Sequence, residues 1–166
     1  QAGELDLSLG VDGFIITGLG VSFDGITSMA IQEDGKIVAV GYSYGATHSN
    51  FGIARYNIDG SLDNTFSLDG KLVFDFDTTF SIPYSVVVQA DNKIVVGGYA
   101  TLNDTSIADC FALARLNADG SLDDGFGDGG IIKLYIGTTH LDIIYSLQIQ
   151  PDGKILAAGT SYSDHH

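Results

Sequence analysis

Short apolar runs, each ended by a turn signal, recur along the chain at a nearly constant distance. Three similar stretches carry the pattern, at residues 32–41, 89–98 and 150–159. Their starting points lie 89 − 32 = 57 and 150 − 89 = 61 residues apart. Self-similarity at a fixed period is the signature of a tandem repeat. The chain is therefore predicted to be an array of structural units.

Each of these stretches predicts a β-hairpin. Gly and Asn tolerate the positive φ that a tight type I′ turn requires, and the turn pairs are Asp34-Gly35, Asp91-Asn92 and Asp152-Gly153. Apolar residues alternate before the turn, as at Met29 and Ile31, and run without interruption after it, as at Ile94, Val95 and Val96. A strand without polar alternation is covered on both faces. The pattern thus predicts sheets stacked face to face.

Two further strands flank each hairpin. A first strand is predicted at residues 14–17, 71–76 and 131–136, and a last strand at residues 51–57 and 111–117. Between the last strand of one unit and the first strand of the next lies a connector rich in Gly, Asp and Leu. One position in it holds Leu9, Phe66 or Phe126, and we expect this side chain to pin the connector to the core.

One unit is thus four antiparallel strands over about 60 residues. Units of four strands and about 40–50 residues are typical of β-propeller blades. A helical solenoid is excluded because no long segment has a 3.6-residue period. We predict an all-β fold made of four-stranded antiparallel β-propeller blades, with about three blades present and the last incomplete. The predicted bounds are about 3–60 for blade 1, 61–120 for blade 2 and 121–166 for the partial blade 3.

An array of this size is not expected to close into a ring by itself. Closed propellers have about four to eight blades, and the third unit here lacks its last strand. The segment 154–159 would then form an apolar sheet edge, which invites pairing with another strand. We therefore expect as partners either further blades of a longer parent chain or other copies of this chain.

Charge and composition exclude several classes of partner. The net charge is −14, from 21 acidic and 7 basic residues. No basic patch remains for phosphate groups, which argues against nucleic acid and anionic membranes. No segment approaches the ~18 apolar residues of a membrane helix. No signal peptide is visible, so the chain is cytosolic, already processed or an excised piece.

The connectors contain a candidate calcium site. Hard cations prefer oxygen ligands in a loop bent by Gly, and the acidic surplus favours such a site. The candidate ligands are Asn57, Asp59 and Asp63 in one connector and Asn117, Asp119 and Asp123 in the other. The alternative is a structural turn, in which Asx side chains bond local amides. Apart from calcium, no cofactor is expected.

Three other sets of residues invite an interpretation. Arg55 and Arg115 recur in the last strand, and we expect them to pair with the repeated Asp63 and Asp123, because a half-buried Arg needs such a partner. The single Cys110 cannot form an internal disulfide and is expected to be buried and inert. Tyrosines follow the third strand and are candidate ligand-binding residues, although such rings also cover strand ends: Tyr42, Tyr44, Tyr99 and Tyr162.

Four motifs recur in a fixed cyclic order: Leu-Asp-x-x-Phe, Gln-x-Asp-Gly-Lys-Ile, Phe-x-Leu-Ala-Arg-Tyr-Asn and Asp-Gly-Ser-Leu-Asp. In this order they resemble the delta-60 repeat family, and the resemblance covers nearly the whole chain. It departs from the pattern at Leu9, Asn92 and Leu116. The resemblance implies a bacterial propeller repeat, often found in large secreted or surface proteins, and it implies no catalytic residues.

These observations predict a non-catalytic structural or interaction module of a secreted or cell-surface protein. The alternative is a propeller that binds a glycan or a peptide through the loops at 42–50 and 99–110. A hydrolase is less favoured, although the fold alone does not exclude one.

Overall fold

The computed structural model describes residues 3–20, 23–45, 48–102, 108–136 and 141–162, which contain ten β-strands and no helix. The prediction of an all-β chain is confirmed. The strands are β1 (Phe23–Ile31), β2 (Ile37–Tyr44), β3 (Ser49–Tyr56), β4 (Lys71–Phe74), β5 (Phe80–Val88), β6 (Ile94–Leu102), β7 (Ala108–Leu116), β8 (Ile131–Leu134), β9 (Ile143–Ile149) and β10 (Ile155–Thr160).

The described strands form antiparallel meanders in chain order. Strands β1 to β4 make sheet 1, strands β5 to β8 make sheet 2, and β9 pairs with β10 in a hairpin. One parallel pair, Ser49 with Phe80, joins sheet 1 to sheet 2. Buried hydrogen bonds strengthen this junction, because Ser49 Oγ donates to Ser81 O and Ser81 Oγ donates to Ser49 O, each at 3.3 Å.

Strands β4 and β8 complete the sheet that precedes them. We expected residues 71–76 and 131–136 to open the following unit, but β4 pairs with β3, and β8 pairs with β7. The expected strand order within a unit is therefore wrong by one position. The physical reason is that each connector acts as a hairpin loop and returns the chain antiparallel to the strand it has just left.

Residues 14–17, also expected to form a strand, form only an isolated bridge between Val11 and Phe14. In the other two units the equivalent strand pairs with the strand before its connector, and the described residues 3–13 contain no strand. The segment still lies on sheet 1, because Ile15 and Leu19 pack there. The equivalent residues of the next unit, Leu72 and Phe76, belong to the core between sheets 1 and 2.

Two apolar cores hold the sheets face to face. The larger core contains Val38, Phe51 and Ile53 of sheet 1 together with Ile94 and Val96 of sheet 2. The second core joins the opposite face of sheet 2 to the β9–β10 hairpin, through Val95, Phe111, Leu113, Ile144 and Leu147. Sheet 2 is thus covered on both sides, as the uninterrupted apolar runs predicted.

The first strands of successive sheets, β1, β5 and β9, contact one another in turn, whereas β4 and β8 form outer edges. Successive sheets are therefore closest to one another at β1, β5 and β9. Each first strand also has a register shift with its partner. The residues left unpaired at these bulges are Thr27, Tyr84 and Tyr145.

Candidate functional site

Five tight turns share one backbone geometry. In the first, the Gly35 N–H donates to Gln32 O and the Gln32 N–H donates to Lys36 O. This is a three-residue loop, a type I turn followed by one left-handed residue. The left-handed residues are Gly35, Gly60, Asn92, Gly120 and Gly153. The predicted type I′ turn is therefore wrong, because it requires positive φ at two central residues and each of these turns has one.

A carboxylate closes each of these turns in the same way. Asp59 Oδ1 accepts the Ser61 N–H at 2.9 Å and the Ser61 hydroxyl at 2.6 Å, and these hydrogen bonds lower the pKa of Asp59. Four other aspartates accept the backbone N–H two residues later in the chain: Asp34, Asp91, Asp119 and Asp152. Asp59 and Asp119 thus have the same role in the connectors as the hairpin aspartates have in their turns.

The other candidate calcium ligands are engaged within the protein. The Asn57 amide donates to Ser61 Oγ at 3.0 Å and to Leu62 O at 3.4 Å, and Asn117 repeats this pattern. Within the described residues, no group of three or more His, Cys, Asp or Glu could hold a metal ion. These contacts support the structural alternative. Calcium binding stays a prediction, which a calorimetric titration with calcium tests.

Asp63 forms a buried ion pair with Arg55, as predicted. Arg55 Nε lies 2.8 Å from Asp63 Oδ2, and the Arg55 Nη2–H donates to Thr65 Oγ1 at 3.1 Å. Burial alone would raise the pKa of Asp63, but hydrogen bonds from Thr65 and the Arg55 charge outweigh it, and the pKa is lowered. The Arg55 guanidinium also lies 4.8 Å from the centre of the Phe66 ring. One arginine thus ties β3 to the connector.

The second ion pair repeats the first with one addition. Arg115 Nε lies 2.6 Å from Asp123 Oδ2, and Lys93 Nζ lies 2.9 Å from the same oxygen. The hydrogen bond from Lys93 is the main cause of the lowered pKa of Asp123. The Arg115 guanidinium lies over the Phe126 ring at 4.5 Å. The prediction that the repeated Arg and Asp residues pair is confirmed in both described units.

These residues also join neighbouring sheets. The Arg55 Nη1–H donates to Ala118 O in the turn of the next unit at 2.5 Å. The connector backbone reaches the same turn, where the Ser67 N–H donates to Asp119 O at 2.8 Å. One unit earlier, the Gly10 N–H donates to Asp59 O at 3.1 Å. Backbone amides and the Arg55 side chain therefore hold the first two connectors to the sheets that follow them.

Several tyrosine rings lie close together near β5 and β9, the strands that carry Tyr84 and Tyr145. Tyr99 stacks on Tyr84 with ring centres 6.1 Å apart and planes inclined by 22°. Tyr84 also contacts Tyr145, with ring centres 5.3 Å apart. Tyr42 and Tyr44 meet edge to face at 5.4 Å. The remaining candidate, Tyr162, lies beyond β10 and is 60 % exposed.

The sequence predictions missed Tyr84 and Tyr145. A signal for them was available, because 145 − 84 = 61 equals the distance between the second and third repeats. The structure places both at the bulges of the first strands. Parts of the predicted binding loops at 42–50 and 99–110 lie outside the described residues, namely 46–47 and 103–107.

One carboxylate, that of Asp109, lies close to Tyr84 and Tyr99. Burial, followed by the neighbouring Tyr84 and Asp109, raises the pKa of Tyr99 to about 12. Burial contributes most to the raised pKa of Tyr84, followed by Tyr145 and then Asp109. Asp109 itself accepts a hydrogen bond from the Thr101 hydroxyl at 2.6 Å. The carboxylate of Asp109 thus acts on both Tyr84 and Tyr99.

Comparison with known protein families assigns the repeats. A family model described as "Domain of unknown function (DUF5122) beta-propeller" matches residues 32–66, 89–126 and 150–164, which together are more than half of the chain. The chain belongs to this β-propeller family. No curated protein matches it. Sheets 1 and 2 are four-stranded propeller blades, and the β9–β10 hairpin is part of a third, so the predicted fold is confirmed.

The segments matched by the propeller family model contain both ion pairs. Arg55 and Asp63 lie in the first segment, and Arg115 and Asp123 lie in the second. Tyr84 and Tyr145 fall outside all three segments. The family match therefore covers β2, β3, β6, β7 and β10 with parts of the connectors. It leaves out β5 and β9, the strands that carry Tyr84 and Tyr145.

Two remaining expectations concern burial and membranes. Cys110 of the second blade is fully buried, as expected, and burial raises the pKa of its thiol. Its Sγ–H donates to Ala100 O at 3.4 Å. In the part of the propeller chain that the structure describes, no helix is long and apolar enough to cross a membrane.

Proposed function

We propose that the chain is a non-catalytic structural or interaction module of delta-60 type, from a secreted or cell-surface protein of a bacterium. The proposal rests on one observation: the polar side chains of the repeat form hydrogen bonds and ion pairs within the protein itself. The turn aspartates bond their own backbones, and Arg55 and Arg115 bond carboxylates of their own connectors. These side chains build and join blades, which is the chemistry of a scaffold. The bacterial and extracellular setting rests on the resemblance of the repeat motifs.

The outer faces of the array support further blades, or other copies of the chain, as partners. On the open face of sheet 1, Met29 and Ile31 are 63 % and 71 % exposed. Their equivalents in sheet 2, Val86 and Val88, pack in the core between the sheets. At the other end of the array, Leu156 is exposed. The outer faces therefore carry side chains of the kind that a neighbouring blade buries within the array.

Sedimentation velocity over a range of concentrations tests this proposal. We expect association that increases with concentration, because the open faces match the faces that pack inside the array. Ile31→Lys should weaken it by placing a charge on the open face of sheet 1. The matched control is Leu68→Lys, which adds the same charge at a connector residue that is 94 % exposed. A monomer at all concentrations, or equal loss in both variants, would contradict association through blade faces.

Ligand binding is a second candidate function, and the tyrosine group favours it. Tyr84, Tyr99 and Tyr145 form a contiguous, partly exposed aromatic surface. Such rings serve carbohydrates, peptides and cations alike. The rings alone therefore do not identify the class of ligand, and the charged groups beside them have to be considered.

A further inference from the structure

The inner tyrosine cluster is defined as Tyr44, Tyr84, Tyr99, Tyr145 and the adjacent Asp109. It lies near β5 and β9, where successive sheets are in contact. Tyr84 and Tyr145 occupy the bulge positions of β5 and β9. At the equivalent position of β1, the Thr27 hydroxyl donates to Pro83 O at 2.5 Å, so that side chain joins two blades. In the next two blades the equivalent residues are Tyr84 and Tyr145, whose rings are partly exposed to solvent.

The rings of the cluster are accessible from solvent. Tyr145 is 50 % exposed, and the side chains of Tyr44, Tyr84 and Tyr99 are each partly exposed. The cluster therefore offers ring edges and faces to a ligand while contacts between the rings fix their positions. Tyrosine provides such contact area at a low cost in side-chain entropy.

The cluster is acidic, and the basic side chains of the protein are engaged elsewhere. All seven lysines and arginines lie in the described residues. Six of them form ion pairs with turn or connector aspartates, and Lys133 Nζ donates to Phe76 O at 2.8 Å. None of these contacts involves Asp109 or the cluster tyrosines. The described contacts therefore place no lysine or arginine side chain at the cluster in competition with an external cation.

We propose that the inner tyrosine cluster binds a basic segment of a partner polypeptide, with a Lys or Arg side chain against the tyrosine rings and next to Asp109. A cation over an aromatic face is attracted by the ring quadrupole, and a net charge of −14 steers basic ligands toward the chain. The proposal deepens the ligand-binding candidate and rests on it. The raised pKa values of Tyr84 and Tyr99 agree with it, because Asp109 contributes to both.

Calorimetric titration of the full chain with a penta-arginine peptide, at low and at physiological salt, tests the proposal. We expect binding that Tyr145→Leu weakens roughly two- to thirty-fold, the range of one cation–π contact. Asp109→Asn should also weaken it, because it removes the carboxylate next to the bound cation. Tyr145→Phe should retain affinity, because it keeps the ring and removes the hydroxyl. Asp124→Asn is the control for the lost charge, since this exposed connector residue lies outside the cluster. Circular dichroism should confirm that each variant folds.

Several outcomes would overturn the proposal. The absence of peptide binding would contradict the proposal directly. Equal weakening by Asp109→Asn and Asp124→Asn would show only general attraction to an acidic chain. Binding of neutral maltopentaose that Tyr145→Phe abolishes would assign the cluster to carbohydrate. Binding of tetramethylammonium but not of the peptide would assign it to a free ammonium compound. Blade association is measured separately by sedimentation, so loss of peptide binding with intact association contradicts this inference and not the module function.

Discussion

The glycine at the end of each repeated sequence stretch lies within a strand and is required by the bulge opposite it. A Cβ on Gly98 would lie 2.0 Å from Ile82 O, and a Cβ on Gly41 would lie 1.8 Å from Gly25 O. Gly159 meets Ile143 O at 1.9 Å in the same way. Because the obstacle is a backbone carbonyl, it cannot rotate away as a side chain would. The repeated glycine is thus the counterpart of the bulged residue.

We therefore expect Gly98→Ala to lower the free energy of unfolding by about 3 kcal/mol, the upper part of the usual overpacking range. Urea unfolding measures the change. Gly18→Ala is the control, because a Cβ there meets nothing within 4 Å, and it should change stability by less than about 0.5 kcal/mol. Equal effects of the two substitutions would show that the bulge carbonyl yields.

The ion pair of Arg55 and Asp63 should make stability depend on pH. The pKa of Asp63 in the folded chain lies below its ordinary value of 3.8. Its contribution is therefore complete above the unfolded pKa and is lost as the pH falls through the folded pKa. Asp63→Asn should cost about 3 kcal/mol at neutral pH, because it leaves a buried arginine unpaired.

Urea unfolding of both proteins from pH 7 down to pH 2 checks this. The difference between wild type and Asp63→Asn should stay constant at neutral pH and shrink below about pH 4. Asp124→Asn should show no comparable difference at any pH. A constant difference down to the lowest pH would contradict the assignment of the lost stability to this carboxylate.

Individual residues were predictable from the sequence where charge and position repeat together. Arg55 and Asp63 recur as Arg115 and Asp123, and a buried cation needs a partner, so the pairing followed from electrostatics. The role of Tyr84 did not follow, because its neighbours in space come from β6 and β9. A bulge reorients one side chain without a clear signature in the alternation of apolar residues.

At the scale of elements, the connector is a hairpin loop stabilised by one aromatic anchor. Phe66 is fully buried between the sheets, under the Arg55 guanidinium. Phe66→Ala should therefore lower the free energy of unfolding by about 3 to 5 kcal/mol. Phe14→Ala is the control, since Phe14 is half exposed, and it should cost much less. Thermal unfolding followed by circular dichroism measures both, and similar losses would contradict the anchoring role of Phe66.

The positions of most strands followed from the apolar periodicity, whereas their pairing did not. The apolar pattern predicts a strand at 71–76 but does not identify the strand with which it pairs. Periodicity indicates which face of a strand is buried, not which strand lies next to it. The turn type was also ambiguous, since Asp-Gly suits a type I′ turn and a three-residue loop ending in Gly alike. The hydrogen bond from the Gln32 N–H to Lys36 O and the single positive φ, at Gly35, distinguish them.

At the scale of the molecule, sheets 1 and 2 are each held by residues of the preceding connector as well as by the sheet faces. The turn of sheet 1 accepts the Gly10 N–H at Asp59 O, and Ile15 and Leu19 pack on Ala39, Ala54 and Tyr56. Residues 14–19 thus cover part of the open face of sheet 1. A groove of about 300 Å³ remains between this segment and the sheet.

This covering segment gives a sharp test, because neighbouring residues in it differ in burial. Leu19 packs on sheet 1, where a Cβ on Gly52 would lie 2.6 Å from Leu19 Cδ1, whereas Ile16 is 88 % exposed. Leu19→Asp should lower the free energy of unfolding by about 1 kcal/mol, because it loses the partial burial of one leucine. It should also increase association in sedimentation, since more apolar face becomes accessible. Ile16→Asp adds the same charge and should change neither measurement. If the two variants behave alike, the segment does not cover the blade.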